Sequence, residues 1–354
     1  METGGQGWMS DLSGDREIAG LFSHAALFAS FARFEQALLK GLAQAHLIQP
    51  DDAAALIEQI AAFEPDPASI AEATLRDGVP APDYVRQLRA RVTGPGSDLL
   101  HHGATSQDLV DTAMIEALGK AGTILSRRLD GVIAALDTLA ARDGAHTLEA
   151  VTRMQPALAF TASDRIGAWQ RPLEDLRARQ TRLREQNRIL QFGGAVGDLK
   201  ALGEAATLVA ETLARTLDLR WPGHSWHTAR APMIAYATWL SELTGALGKI
   251  GQDVAMMALR GEPDIRLSGG GGSSAMPHKQ NPVAAERLVT LARFNATLVA
   301  GMHQSAVHEM ERSGAAWMLE WMILPQMCEA AGASLGGAAA LLRSIERIGE
   351  PGGG

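Results

Sequence analysis

The sequence of 354 residues has few cysteines and few aromatic residues. Its single cysteine, Cys328, excludes an intrachain disulfide and a Cys-x-x-Cys metal site. Aromatic residues make up 5% of the chain and hydrophobic residues 46%, so the core is expected to be aliphatic and rich in alanine and leucine. This composition is typical of packed helices and is poor in the residues that strands favour.

An excess of positive charge and a long apolar run are also missing. The chain has 32 Lys and Arg against 40 Asp and Glu, a net charge of −8, which argues against nucleic acid or an anionic membrane as a partner. No window reaches the roughly 18 apolar residues that a membrane span needs. The N-terminus has no basic segment followed by an apolar one. We therefore expect a cytoplasmic protein without a membrane or nucleic-acid partner.

Helical periodicity is the strongest pattern that is present. Apolar residues from Leu118 to Leu139 recur at spacings of three, four and seven, which is typical of a helix-bundle seam. The sequence predicts long helices over about 112–142, 157–190, 228–259, 283–312 and 315–347, each about 45 Å long. Shorter helices, the first over about 18–46, precede a Gly-Pro-Gly turn at 94–96. We predict an N-terminal helical domain over 1–96 and a central long-helix bundle over 97–347.

The lengths of these helices constrain any shared site. If 112–142 and 157–190 form an antiparallel pair, Thr112 and Thr152 lie at opposite ends of a rod of about 45 Å. Segments that flank these two residues could then share one site only if they came from different chains.

Three segments that precede predicted helices contain polar and charged residues that suggest a function. Residues 269–282 read GGGGSSAMPHKQNP, a glycine-rich loop before a helix with a lysine and an asparagine, which suits an anion or a developing oxyanion. Residues 101–112 read HHGATSQDLVDT, with short donors beside a helix start; taken alone, they also fit a simple capped helix. Residues 151–156 read VTRMQP and, taken alone, also fit a polar turn before a helix.

Together these segments resemble the three active-site regions of the fumarase/aspartase superfamily. The string GSSAMPHKQNP is similar to the superfamily signature, approximately GSSxMPxKxNP. The strings LFSHAALFASFARFEQAL and HEMERSGAAWMLEW resemble in particular the branch of bacterial 3-carboxy-cis,cis-muconate cycloisomerases. The resemblance implies an all-α fold with a long central bundle, assembled as a homotetramer whose active sites are shared between subunits. Members usually continue into a small C-terminal helical domain, which we expect to be absent or reduced here.

The resemblance also implies an activity, that of an isomerase of the intramolecular lyase class. It would interconvert 3-carboxy-cis,cis-muconate, a small tricarboxylate, and 4-carboxymuconolactone in protocatechuate catabolism, through an aci-carboxylate and without a metal or cofactor. Ser273 would transfer the proton, and Lys279 would stabilise the serine alkoxide and hold substrate. The other residues carried over as substrate-binding are His101, Thr105, Ser106, Gln107, Thr152, Arg153, Gln155, Ser274, Met276 and Asn281.

Arg153 departs from the pattern of many lyases, which have Thr-His where this chain has Thr152-Arg153. Arginine stays protonated near neutral pH and does not readily shuttle protons, but it can clamp a carboxylate through two hydrogen bonds. An arginine at this position therefore favours a substrate with three carboxylates, whose leaving group is itself a carboxylate, over one that releases an amine or a purine. Two alternatives remain open: a C–N lyase of the adenylosuccinate lyase type, which would need a histidine there, and an inactive helical scaffold, against which Ser273 and Lys279 count.

Overall fold

The computed structural model describes residues 10–271 and 281–351, which form twelve α-helices and four short strands. The helices are α1 (Ser10–Ser13), α2 (Arg16–Ala19), α3 (His24–Gln44), α4 (Pro50–Ala61), α5 (Pro67–Asp77), α6 (Ala81–Arg91), α7 (Ser106–Asp143), α8 (Ala162–Asn187), α9 (Ala206–Thr216), α10 (Ala231–Arg260), α11 (Val283–Gln304) and α12 (Ala315–Ser344). The strands are β1 (Thr147–Thr152), β2 (Gln155–Thr161), β3 (Ile265–Leu267) and β4 (Ile345–Ile348). The predicted all-α class is confirmed.

Five long helices, α7, α8, α10, α11 and α12, form the central bundle around one core, which is mainly aliphatic but also buries Trp169 and Trp239. Helices α7 and α8 are antiparallel, because Gln180 on α8 donates to the Gly122 carbonyl at 3.2 Å while Gln170 donates to Asp137 at 2.8 Å. The partner numbers thus rise on one helix as they fall on the other. The antiparallel pair on which the separation of Thr112 and Thr152 depends is therefore present.

A second core lies under the shorter N-terminal helices α3 to α6. Its helices have clear boundaries: Asp66 caps α5 by accepting from Ala68 N at 2.9 Å, and Gly78 ends α5 with a left-handed φ of 72°. Helix α9 packs against α3 and contributes Val209 and Leu213 to this core. The N-terminal core therefore includes chain that follows α8 in sequence, beyond the predicted boundary at residue 96.

The predicted second long helix begins five residues later than expected, because residues 147–161 form an antiparallel hairpin, β1–β2. The segments TLEAVT and QPALAFT contain threonine, valine and phenylalanine, which favour strands. Arg153 and Met154 form the tip with φ values of 46° and 65°, and two positive φ values are typical of a two-residue hairpin turn. Helix α8 starts only after Thr161, whose hydroxyl accepts from Asp164 N at 3.1 Å.

Three other predicted helix boundaries are also corrected. The predicted helix over 18–46 is interrupted at Ser23, whose hydroxyl caps α3 by accepting from Ala26 N at 3.3 Å. Helix α11 ends at Gln304 rather than near residue 312, and an irregular segment, 305–314, follows. Helix α12 ends at Ser344, after which β4 pairs with β3.

The bundle has two ends, and the candidate residues lie at both. We call the end at the first turn of α7 the near end; the segments 189–199, 224–230 and 305–314 meet there. We call the other the far end; there Asp143 accepts from Ile348 N at 2.8 Å beside the hairpin. The 38 residues of α7 separate the ends by about 57 Å.

Among the helices of residues 10–271 and 281–351, none combines the length and the apolar character that a membrane span needs.

Candidate active site

Asp108 organises the near end of the bundle. This buried carboxylate accepts from the backbone N–H groups of Thr105 at 2.9 Å and of Gly193 and Gly194 at 3.0 Å each. It also bonds to His227 Nε2 at 2.8 Å. Burial raises the pKa of Asp108, although the bond to His227 acts in the opposite direction. Asp108 thereby holds the start of α7 against the loop that contains Gly193 and Gly194 and against His227, which precedes α10.

Arg312 reaches the same place from the segment 305–314. Its Nη1 donates to Thr105 Oγ1 at 3.0 Å, and its Nη2 donates to the carbonyls of Ala195 at 3.0 Å and Gly194 at 3.4 Å. Because Thr105 Oγ1 accepts from a cation, its own hydroxyl hydrogen is available to a ligand. The sequence assigned no role to Arg312; its place in the HEMERSGAAWMLEW string is the one signal that could have found it.

Gln107 is fully buried, and its amide nitrogen is already used. It donates to Asp111 Oδ2 at 3.1 Å and to the His227 carbonyl at 2.9 Å, while its carbonyl oxygen has no partner among the described residues. The side chain therefore contacts protein groups. Ser106, by contrast, is half-buried at the first position of α7.

A buried ion network lies beneath Gln107. Arg230 donates to Asp111 Oδ2 at 2.7 Å and to Glu320 Oε2 at 2.5 Å, and Trp317 Nε1 donates to Asp111 Oδ1 at 2.8 Å. Burial acts to raise the pKa of Asp111, but Arg230 outweighs it and the pKa is lowered. For Glu320, burial prevails and the pKa is raised despite Arg230. The network joins α7, α10 and α12 directly under the candidate site.

His101 is held just before α7. Its ring Nδ1 lies 2.7 Å from Glu35 Oε1, and its backbone N–H donates to Glu35 Oε2 at 3.0 Å. His101 thus belongs, with Thr105, Ser106 and Gln107, to the near end of the bundle.

The remaining described candidates lie at the far end. Thr152, Arg153 and Gln155 are exposed at the hairpin tip, and no described residue forms an ion pair with Arg153. Asn281 pairs with Gly271 through two backbone hydrogen bonds of 2.9 Å, which join the two flanks of the signature segment. Four predicted residues lie outside the described part of the chain: Ser273, Ser274, Met276 and Lys279.

The structure therefore brings the predicted residues together in two groups. The near group and the far group are separated by about the length of α7, so one ligand cannot contact both within a single chain. Each group offers donors and positive charge, Arg312 in one and Arg153 in the other, which suits an anionic ligand. Within residues 10–271 and 281–351, no cluster of histidine, cysteine and acidic side chains could hold a metal ion.

A protein-family model described as lyase matches residues 22–296, more than half of the chain. The chain belongs to this lyase family of the fumarase/aspartase superfamily. Curated relatives include the 3-carboxy-cis,cis-muconate cycloisomerase of Pseudomonas aeruginosa, 33% identical over 93% of this chain and 73% of that protein. The enzyme of the same name from Acinetobacter baylyi is 32% identical over 94% of this chain and 75% of that protein.

A solved structure agrees with these relatives. The crystal structure of the 3-carboxy-cis,cis-muconate lactonizing enzyme from Pseudomonas putida superimposes with a TM-score of 0.88 at 30% identity, over 95% of this chain and 76% of that chain. As a lyase-family member with these relatives, the chain is an enzyme of the isomerase or lyase type.

Proposed function

We propose that the protein is a cycloisomerase that interconverts 3-carboxy-cis,cis-muconate and 4-carboxymuconolactone in the cytoplasmic breakdown of protocatechuate. One carboxylate of the substrate adds to a double bond of the same molecule and closes the lactone ring. The carbon next to another carboxylate gains a proton from Ser273, which solvent replaces, so the trianion takes up one proton as the lactone forms and no other co-reactant or cofactor is needed. The observation that carries the proposal is Arg153, a guanidinium without an ion-pair partner among the described residues, in a chain whose relatives are named for this reaction.

The proposed site supplies fixed positive charge around a trianion. The net charge of the chain is −8, so binding depends on local groups: Arg153, Arg312, Lys279 and the N–H groups at the start of α7. These donors also stabilise the second negative charge that develops on the aci-carboxylate. Ser273 transfers the proton. Gln107 acts indirectly, because its amide hydrogens go to protein acceptors.

We also propose a homotetramer in which different subunits supply the near and far groups. The separation by α7 requires this if both groups contact one substrate. Exposed apolar side chains support it at both ends: Met154 and Leu158 on the hairpin are 70% and 77% exposed, and Val307 and Met310 beside Arg312 are 75% and 87% exposed. A two-stranded hairpin is marginally stable in water, so contact with another subunit would stabilise it.

Incubation with 3-carboxy-cis,cis-muconate tests the proposed reaction. The conjugated diene absorbance should disappear, and proton NMR should identify a carboxymuconolactone as the product. Adenylosuccinate and argininosuccinate, whose cleavage requires an amine or purine to leave, should remain unchanged. If the diene persists while a succinylated substrate is cleaved, the protein is a C–N lyase and the proposal is wrong.

Replacement of Arg153 by alanine should reveal which carboxylate it binds. Loss of a charge-assisted hydrogen bond should lower kcat/KM for the tricarboxylate by roughly 10- to 150-fold. Arg153→Lys should restore part of this, because lysine keeps the charge but loses the planar fork. The comparison substrate is cis,cis-muconate, which lacks the third carboxylate and should be affected far less.

The matched control is Arg182→Ala, which removes an exposed arginine of α8 and the same charge. It should leave both substrates unaffected. Equal losses for the two substrates in Arg153→Ala would mean that Arg153 binds a group common to both, and its role in substrate choice would be excluded.

A further inference from the structure

Glu35 is a fully buried carboxylate whose two oxygens both bond to one residue. Its Oε1 lies 2.7 Å from His101 Nδ1, and its Oε2 accepts the backbone N–H of His101 at 3.0 Å. Burial of a carboxylate is costly unless its oxygens are satisfied. In the described structure, the side chain of Glu35, which lies on α3, forms no other hydrogen bond, so His101 is its one hydrogen-bonding partner there.

The backbone around His101 is fixed as tightly as its ring. His101 has a left-handed φ of 61°, which is uncommon for a residue other than glycine and persists only where the surroundings enforce it. Arg89 donates to the preceding carbonyl, that of Leu100, at 2.8 Å. Glu35 binds the next N–H. These contacts fix the orientation of the imidazole ring, and the side chain of His101 is only 13% exposed.

The carboxylate also decides which ring nitrogen carries the hydrogen. A carboxylate only accepts hydrogen bonds, so Nδ1 must donate and Nε2 of the neutral ring keeps its lone pair. Because Nδ1 faces α3, Nε2 lies on the opposite edge of the ring. No described residue bonds to Nε2, and Thr105 at the start of α7 follows four residues later.

We propose that Glu35 is a positioning residue, which fixes the orientation and the Nδ1–H tautomer of His101 so that Nε2 shares a proton with a substrate carboxyl group. When the ring holds that proton, the Glu35 carboxylate compensates the positive charge. The role at the substrate rests on the proposed function; the tautomer does not.

The isosteric variant Glu35→Gln should invert the tautomer. The backbone N–H of His101 still needs an acceptor, so the amide oxygen of glutamine faces it and the NH₂ group faces Nδ1. That NH₂ donates, which leaves the lone pair on Nδ1 and moves the ring hydrogen to Nε2. Shape and burial stay nearly constant while the nitrogen that meets the ligand changes from acceptor to donor.

The first test uses ¹⁵N NMR of protein labelled at histidine, with no substrate present. The His101 signals, assigned by their loss in His101→Asn, should report an Nδ1–H ring in the wild type and an Nε2–H ring in Glu35→Gln. Asparagine tolerates the left-handed backbone, so this reference should fold. Glu58→Gln, an exposed change on α4, should leave the tautomer unaltered. The same tautomer in wild type and Glu35→Gln would overturn the inference.

The second test is a double-mutant cycle in kcat/KM. Glu35→Gln should lower kcat/KM by about 10- to 100-fold, and the combination with His101→Asn should be no worse than His101→Asn alone. Losses that multiply in the double variant would mean that Glu35 supports the fold independently, and would overturn the positioning role. If the wild type does not consume 3-carboxymuconate, the proposed function fails while the NMR result still decides the tautomer.

Discussion

Ser273→Ala protein is expected to fold normally and to lose about 10²- to 10⁴-fold in kcat, with little change in KM. The reason is that the hydroxyl acts in proton transfer, which contributes this much to a rate, whereas the groups that hold the substrate carboxylates remain. Steady-state kinetics with 3-carboxymuconate measure the effect. The adjacent Ser274→Ala is the matched control and should cost far less. If Ser274→Ala proves the more damaging change, the proton-transfer role belongs to that serine instead.

The same variant tests whether sites cross subunits. Arg312→Met should also be impaired, since it loses the cation that bonds Thr105 at the near end. The two variants are mixed in equal amounts, dissociated and reassembled. A site is then complete when its near group comes from a Ser273→Ala chain, which keeps Arg312, and its loop comes from an Arg312→Met chain, which keeps Ser273. Random assembly makes about a quarter of the sites complete. Recovery of about that fraction of wild-type activity is expected; no recovery would mean that one chain supplies the whole site.

The long helices could be predicted because their burial follows a local rule. Leu118, Leu125 and Leu129 are spaced so that one face of α7 enters the core, and all three are buried. The hairpin could not be predicted in the same way. A short apolar stretch such as 157–160 fits a strand or the start of a helix, and the turn at Arg153 and Met154 lacks the glycine or asparagine that marks a tight hairpin turn.

From the sequence, candidate site residues could be proposed only where they form a contiguous motif. The neighbours of Thr105 are visible in the sequence, but Arg312 lies 207 residues away and meets it only through the packing of the segment 305–314. Glu35 reads as one acidic residue on an amphipathic helix, although it is buried against His101, 66 residues later. The family resemblance implies that Gln107 binds substrate. Its burial could not be predicted, because one acceptor of its amide group is the carbonyl of His227, 120 residues later.

Arg230→Met should be among the most destabilising single changes in the described structure. Methionine approximates the volume of the arginine stem but leaves Asp111 and Glu320 buried without their cation. Removal of one partner from a buried ion network typically costs about 3–5 kcal/mol. Urea unfolding should show this loss near pH 8. The matched control is Arg188→Met, which breaks an exposed pair with Asp218 and should cost less than about 1 kcal/mol.

The loss should shrink as the pH falls. In the wild type the pKa of Asp111 is lowered by Arg230, so its ionised form stabilises the fold above the unfolded pKa and this contribution disappears as pH falls through the folded value. Without Arg230, burial and the negative charge of Asp111 raise the pKa of Glu320, so the ionised Glu320 destabilises the fold once the pH exceeds its unfolded value. At Asp111, burial is then opposed only by neutral donors, among them Gln191 and Trp317, so the stabilisation that Arg230 gave the ionised form is lost. Near pH 5 part of the penalty at Glu320 is relieved by protonation in the folded variant. The difference in unfolding free energy between wild type and Arg230→Met is therefore expected to be smaller at pH 5 than at pH 8. A difference that is the same at both pH values would mean that the arginine stabilises the near end through its packing on Trp226 rather than through its charge.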